Sequence, residues 1–208
     1  MSEARSFAAR SPLLADVPLS GSAAGITAVV RDGLGLATVL ARKGAAEALT
    51  ARVRQRFELE LPVKPRRAAA SDGAFASDVA FAGTGPGAWL AIAERGGNEF
   101  AARLMDDLEG LASVSDQSDG YVLIRLMGGR VRDVLAKLVP IDVDPRAFQV
   151  GDVASTVASH MGVTFWRSPD ERDASPVFEV VMFRSLARSF WHALVEAGAE
   201  YGFVGRVP

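Results

Sequence analysis

The amino-acid sequence predicts an α+β chain of two related units, each a small antiparallel sheet covered on one face by helices. Three observations point there. Apolar runs of strand length alternate with stretches of helical periodicity. Their order is strand, helix, two strands, helix, then strand, helix, two or three strands, helix. At the centre, a polar turn over Ser113 to Gly120 feeds the apolar run Tyr121 to Met127, and Gly128-Gly129 then open an amphipathic helix.

Taken in order, Ile26 to Arg31 and Leu34 to Ala41 are short apolar runs separated by Asp32-Gly33, a hairpin signal. Lys43 to Phe57 carries Leu49, Val53 and Phe57 four residues apart, a helical spacing. Glu58 to Asp78 holds two prolines, Arg66-Arg67 and an Ala/Ser/Gly patch, and is expected to be a loop. Val79 to Phe81 and Trp89 to Ala93 read as strands around Gly83-Thr84-Gly85-Pro86-Gly87. Asn98 can cap a helix whose apolar side is Phe100, Leu104, Leu108 and Leu111.

After the Tyr121 to Met127 strand, Val131, Val134, Leu135 and Leu138 mark the next helix, which Pro140 stops. Gly151 to Trp166 reads as two strands with a turn near Ser159 to Gly162, and Ser168 to Ser175 as a charged loop. Val177 to Phe183 is a strand. Ser185 to Glu200 is a helix with a wide apolar face of Leu186, Ala187, Phe190, Trp191, Leu194 and Val195. The units are assigned to 25–111 and 112–208, within one compact domain. Residues 1–24, rich in Ala, Ser and Pro, are expected to form a mobile arm or one that packs on a partner.

Composition excludes several functions. The 208 residues, 49% hydrophobic with a mean hydropathy of +0.16, can bury a sizeable core. A net charge of −2 and the lack of any long basic block argue against nucleic acid. The absence of cysteine removes disulfides, Cys-based zinc sites, iron–sulfur clusters and a thiol nucleophile, and fits a cytoplasmic protein. No apolar run approaches the roughly 20 residues that span a bilayer, so no membrane association is expected.

Few residues offer chemistry. Gly83 to Gly87 lacks the strand-to-helix setting of a phosphate loop, and Pro86 removes one amide donor, so it reads as a hairpin. His160 and His192 have no convincing metal-ligand partners. Ser189, His192 and Glu196 fall on one side of the last helix, which suits a solvated stripe or a partner contact better than a nucleophile with its base. Asp116, Ser118 and Asp119 suit turn-making, with a ligand or subunit contact as the alternative. The tryptophans Trp89, Trp166 and Trp191 suit core or interface anchors. No catalytic, cofactor-binding or metal-binding residue is assigned.

Several segments in order resemble the gamma subunit of heterotetrameric sarcosine oxidase. They are Gly85 to Leu90, Val114 to Gly120, Arg132 to Lys137, Pro145 to Phe148, and Phe183 to His192, which together span roughly residues 34 to 202. That family is in turn similar to the folate-binding fold of the glycine-cleavage aminomethyltransferase. Asp116-Gln117-Ser118 matches its D-x-S turn, Gly128 to Leu138 its helix, and Gly151 the start of its hairpin.

The resemblance implies two ferredoxin-like units resembling the aminomethyltransferase folate-binding domain. It departs from that transferase in one respect. The aspartate expected after a Gly pair is missing where the hairpin reads Met161 to Trp166, and aminomethyl transfer needs that carboxylate at the folate nitrogen.

The resemblance further implies a cofactor-free structural subunit of an oxidoreductase acting on CH–NH donors. Its expected partners are the alpha, beta and delta subunits, with FAD, FMN, NAD and tetrahydrofolate held by alpha and beta. Candidate subunit-contact residues are Asp116, Ser118, Asp119, Arg184, Arg188 and His192. The alternatives are a stand-alone folate- or pterin-binding protein or small transferase, and the equivalent subunit of another N-methyl amino acid dehydrogenase, such as one acting on N-methylglutamate.

Overall fold

Alternating buried and exposed positions make Ile26–Arg31 a strand (β1), but its partners lie far along the chain: Phe203–Arg206 (β11), parallel, and Tyr121–Met127 (β7), antiparallel. A computed structural model describes Pro18 and residues 24–69, 78–97, 99–171 and 174–208. The remaining elements are β2 (Gly35–Ala41), α1 (Ala46–Phe57), β3 (Arg67–Ala69), β4 (Val79–Gly85), β5 (Ala88–Ala93), α2 (Glu99–Asp107), β6 (Ala112–Asp116), α3 (Val131–Leu138), β8 (Val153–Ala158), β9 (Met161–Ser168), β10 (Val177–Phe183) and α4 (Ala187–Gly198). Short 3₁₀ turns flank α4 at Arg184–Leu186 and Ala199–Tyr201. Most of the N-terminal arm, the patch at 70–77, Asn98 and residues 172–173 lie outside the described residues.

The strands form two sheets, with orders β3-β4-β5-β2-β6 and β11-β1-β7-β10-β9-β8. Each has one face under helices. Val39, Phe81 and Ala91 of the first sheet pack with Leu49 and Val53 of α1 and Phe100 and Leu104 of α2. Ile124, Phe165, Phe178 and Val180 of the second pack with Val134 and Leu135 of α3 and Phe190, Trp191 and Leu194 of α4. The opposite faces meet each other through Leu34, Leu36, Leu90 and Ile92 on one side and Leu123, Trp166 and Val181 on the other. The result is four layers, helix–sheet–sheet–helix, with three apolar interfaces.

The two units repeat one connectivity. The first runs β2-α1-β3-β4-β5-α2-β6, and the second runs β7-α3-β8-β9-β10-α4-β11. In the first sheet β2 pairs with β6; in the second, β1 is inserted between the equivalent strands β7 and β11. This corrects the hairpin expected at Asp32-Gly33. The turn there carries the chain from one sheet to the other, and β1 and β2 never pair. Both runs are strands because both have one face to bury, and local turn chemistry does not decide their partner. Sheet membership likewise does not follow the division at 111/112. Residues 112–116 pair with β2, and residues 26–31 with β7 and β11.

Three further expectations change. Arg67–Ala69, read as loop, is an edge strand on β4; the segment is too short and polar to signal a strand. Ser113 to Asp116, read as part of the turn, belongs to β6, an edge strand that hides only Ala112 and Val114. The four-residue β11 closes the sheet after α4 and carries too little pattern to register alone. The other elements lie where the periodicity puts them, and the glycine loop is a hairpin closed by Pro86-Gly87, with Gly87 at φ 66°. Val139 is extended before Pro140, as a pre-proline residue prefers.

At the second sheet's centre, Gly128 has φ 125°, and a Cβ there would stand 2.5 Å from the Gly25 carbonyl oxygen. The same carbonyl accepts the Arg130 amide at 3.0 Å, so the glycine opening α3 also seats β1. Trp191 of α4 packs edge-on to Phe203 of β11, with centroids 6.0 Å apart, and its ring covers Gly205. Truncating it leaves a cavity at the seam between α4 and β11. Trp191→Ala should cost about 3–5 kcal/mol in urea unfolding of the chain.

Candidate functional site

Rows of cross-strand partners run across the second sheet's face toward its neighbour. One is Arg31–Leu123–Val181–Thr164–Ser155, and the next is Val29–Arg125–Glu179–Trp166–Val153. Beyond the first row lies the pair Phe183–Tyr121. At that end the two sheets part and leave a wedge of about 410 Å³. Leu90 and Val181 form its apolar floor, and Thr38, Thr84, Tyr121, Ser155 and Thr164 bring hydroxyls to it. Ser155 Oγ and Thr164 Oγ1 bond each other at 2.9 Å.

Tyr121 and Phe183 stack edge to face with centroids 5.1 Å apart, and Phe183 is 55% exposed. Leu40 and Val157 are also exposed and flank the mouth on either sheet. Tyr121 is the lining's one titratable side chain. Its polar side chains are hydroxyls, so the wedge can hydrogen-bond and pack an amphipathic group. Thr164 and Gly162, from the hairpin where the transferase resemblance expects a carboxylate, line this wedge.

The turn beside the mouth gathers four of the six candidate contact residues. Asp116 Oδ1 accepts the Ser118 amide at 2.9 Å, an Asx turn. Ser118 Oγ accepts the Leu36 amide at 3.1 Å, tying the turn to β2. Arg184 Nε donates to the Asp119 carbonyl at 2.8 Å, and the Arg184 amide to the Gly120 carbonyl at 2.8 Å. Asp116, Ser118, Asp119 and Arg184 therefore form one braced corner where the first unit passes into the second. Arg188 and His192 stand apart from it on the exposed side of α4, where His192 pairs with Glu196 at 3.2 Å. Ser189 is exposed on the same helix. His160 sits in the two-residue β8–β9 turn with φ 69°.

Deeper between the sheets lies a charged group that sequence reasoning missed. Glu179 is buried on β10. Its Oε1 accepts Arg31 Nη1 at 3.0 Å, Arg125 Nε at 3.0 Å and Arg125 Nη2 at 2.7 Å. Its Oε2 accepts Trp166 Nε1 at 2.8 Å and Ser168 Oγ at 3.4 Å. Burial pushes the carboxyl up. Arg125, by charge and hydrogen bonds, with Arg67 and Arg31, outweighs burial and holds it below the usual glutamate range. Arg31 also pairs with Glu94, the residue after β5, and so links the sheets. The signal was a lone charge inside each of two apolar strands, Glu179 in Val177 to Phe183 and Arg125 in Tyr121 to Met127, which the register sets side by side.

Comparison with known proteins agrees with this geometry. The model of the sarcosine oxidase gamma subunit family matches residues 42–200. An aminomethyltransferase from Chloroherpeton thalassium is 32% identical over 96 residues, 44% of this chain and 24% of that protein. A sarcosine oxidase subunit gamma from a Corynebacterium species is 30% identical over 118 residues, 56% of this chain and 55% of that protein. The chain's matches thus span about half of one curated relative's length and a quarter of the other's.

Among solved structures, a chain of heterotetrameric sarcosine oxidase from a Corynebacterium species superposes with a TM-score of 0.71 at 23% identity, covering 86% of this chain and 87% of that one. The glycine cleavage system aminomethyltransferase T from Bartonella henselae superposes with a TM-score of 0.60 at 16% identity, covering 88% of this chain and 48% of that one. Both likenesses are of fold: the two-unit α+β architecture is that of these proteins.

Replacing Glu179 by Gln leaves Arg125 beside a neutral group and Arg31 with Glu94 alone. Glu179→Gln should cost about 3–5 kcal/mol at pH 7. Because the folded carboxyl titrates below its usual value, its stabilisation is full above about pH 4.3 and is lost as pH falls through the lower folded value. The gap between wild type and variant, read by urea unfolding across a pH series, should therefore be widest at neutrality and close below about pH 4.

Proposed function

Because the chain belongs to the sarcosine oxidase gamma subunit family, we propose that it is a structural and assembly subunit of a heterotetrameric sarcosine oxidase and performs no chemistry itself. In that assembly sarcosine is oxidatively demethylated to glycine and the one-carbon unit passes to tetrahydrofolate. The alpha and beta subunits hold the FAD, FMN, NAD and folate, and a delta subunit completes the complex. The observation that carries this reading is the wedge. Its floor and lips are apolar and its polar groups are hydroxyls, a set that suits packing against another protein and does not supply the acid–base group of a transferase.

The docking face follows from the same residues. Leu40, Val157 and Phe183 present exposed apolar surface around one opening, where an interface core would sit. The braced corner of Asp116, Ser118, Asp119 and Arg184 lies beside it as a polar rim, while Arg188 and His192, on the exposed side of α4, form a separate candidate contact. Among the described residues no helix is long and apolar enough to cross a membrane, and we place the complex in the cytoplasm.

Co-expression of the chain with its alpha, beta and delta partners tests the proposal. Wild type should co-purify with a flavin-absorbing complex. The pair Leu40→Asp and Phe183→Asp should cut its recovery at least tenfold while leaving the melting temperature of the isolated chain within about 2 °C, since both sites are exposed. A chain that stays monomeric beside its partners sinks the reading. Micromolar binding of tetrahydrofolate to the isolated chain in calorimetry favours the stand-alone folate-binding alternative instead.

A further inference from the structure

Three guanidiniums and two carboxylates meet between the sheets, and the arginines do not fare alike. Arg31 and Arg125 donate to Glu179, and Arg31 also pairs with Glu94. Arg67 projects from the edge strand β3, on the same cross-strand row as Ala82 and Leu90, which face the second sheet. It lies within Coulombic reach of Glu179 and Glu94, and of Arg125 and Arg31. Its Nε is buried and has no hydrogen-bond acceptor among the described residues. The contrast with Arg167 is direct: that buried guanidinium donates to the Ser168 and Val177 carbonyls and pairs with Asp170.

Two observations make this more than a loose side chain. The backbone of Arg67 is held from both sheets. Its amide donates to the Gly151 carbonyl at 2.7 Å, the Val153 amide donates to the Pro65 carbonyl at 2.9 Å, and β3 pairs with β4. The acceptors nearest in charge are also already engaged, since both oxygens of Glu179 receive donors from other residues. Among the described residues the cluster therefore sets three guanidiniums against two carboxylates, with Arg67 on a backbone anchored from both sheets and carrying an unmet buried N–H, an arrangement that is costly while it stays unfilled.

We propose that Arg67 is the recognition residue of an anion site between the sheets, and that the anion is a carboxylate. A carboxylate presents two in-plane oxygens to the guanidinium fork and brings the single negative charge the cluster lacks. A phosphate dianion would over-neutralise it and meet Glu179 and Glu94 as like charges. The carboxylate is either a free small acid or an Asp or Glu side chain of a partner subunit. The site itself does not depend on the assembly role proposed above, because it is read from the isolated chain.

Thermal unfolding of the full chain at pH 7 in sodium acetate, against sodium chloride of equal ionic strength, tests the site. At ten times the half-saturating acetate concentration the wild-type melting temperature should rise by about 3–5 °C over chloride, and Arg67→Met should show no such rise. In chloride alone Arg67→Met should melt within about 3 °C of wild type, because relief of the unmet buried N–H offsets loss of one counter-charge to Glu179, so misfolding cannot mimic the result. Arg67→Lys, which keeps the charge but loses the fork, should respond more weakly. Sodium phosphate should give no saturable rise. In wild type, the acetate-dependent shift of the Arg67 Nε–H resonance, identified by its absence from Arg67→Met, should follow the same concentration curve.

Equal melting in acetate and chloride, or the same acetate response in Arg67→Met, overturns the proposal. Co-expression then separates the two sources. Loss of Arg67→Met from the purified complex assigns the carboxylate to a partner side chain, and wild-type recovery assigns it to a free small acid.

Discussion

A carboxylate placed between two sheets costs several kcal/mol to desolvate, and the second sheet is organised around meeting that cost. Glu179 takes its main counter-charge from Arg125, its direct cross-strand neighbour on β7, and a further hydrogen bond from Trp166, its direct neighbour on β9. A one-residue slip of β10 would turn the carboxylate into the aromatic layer of Phe148 and Phe165 under α3 and α4 and turn Phe178 out of it. Apolar alternation alone tolerates such slips poorly, and a buried charge with directional partners forbids them. With the register of β7, β10 and β9 fixed, Tyr121 and Phe183 face each other at the mouth of the wedge, and Arg184 falls where it can brace the Asp119 corner.

Much of this architecture was legible in the amino-acid sequence, and the reasons are local. The faces of α1, α3 and α4 follow from leucine, valine and aromatic spacing. The strands β7 and β10 follow from apolar runs, each broken by a single charge, that only a doubly covered sheet explains. What escaped was pairing over long distances. Nothing in Ile26 to Arg31 says that its partners lie at Tyr121 and Phe203, so Asp32-Gly33 read as the hairpin its composition resembles. The edge strands β3 and β6 escaped because an edge needs little apolar surface. At the candidate site the Asp116 to Asp119 turn was visible in its Asx chemistry, but the wedge was not, because its threonines and serines come from several separate strands.

The family relation and the geometry meet at the inter-sheet layer. The fold is similar to that of an aminomethyltransferase, and the opening between the two sheets of this chain presents threonine, serine and aromatic side chains. Such a surface adapts to a neighbouring protein by packing and shared hydroxyls. The charge that remains lies deeper, where it serves register and, at Arg67, leaves one donor group for something outside the chain. Fold and role are separable: the shared α+β frame sets the architecture and leaves the chemistry of the gap to the side chains that line it.

The insertion of β1 between β7 and β11 bears on how this polypeptide is made. Of the two neighbours of β1, β7 is made well before β11, so β1 can pair on one side early and stays open on the other until Phe203–Arg206 has followed. The earlier repeat, whose strands pair only among themselves, can condense alone on a nascent chain, whereas the later one matures only when the two extremities of the sheet-forming sequence come together. Duplicated in plan, the halves are therefore unequal in time, and β1 acts as a clasp that completes the second sheet only when β11 has joined it.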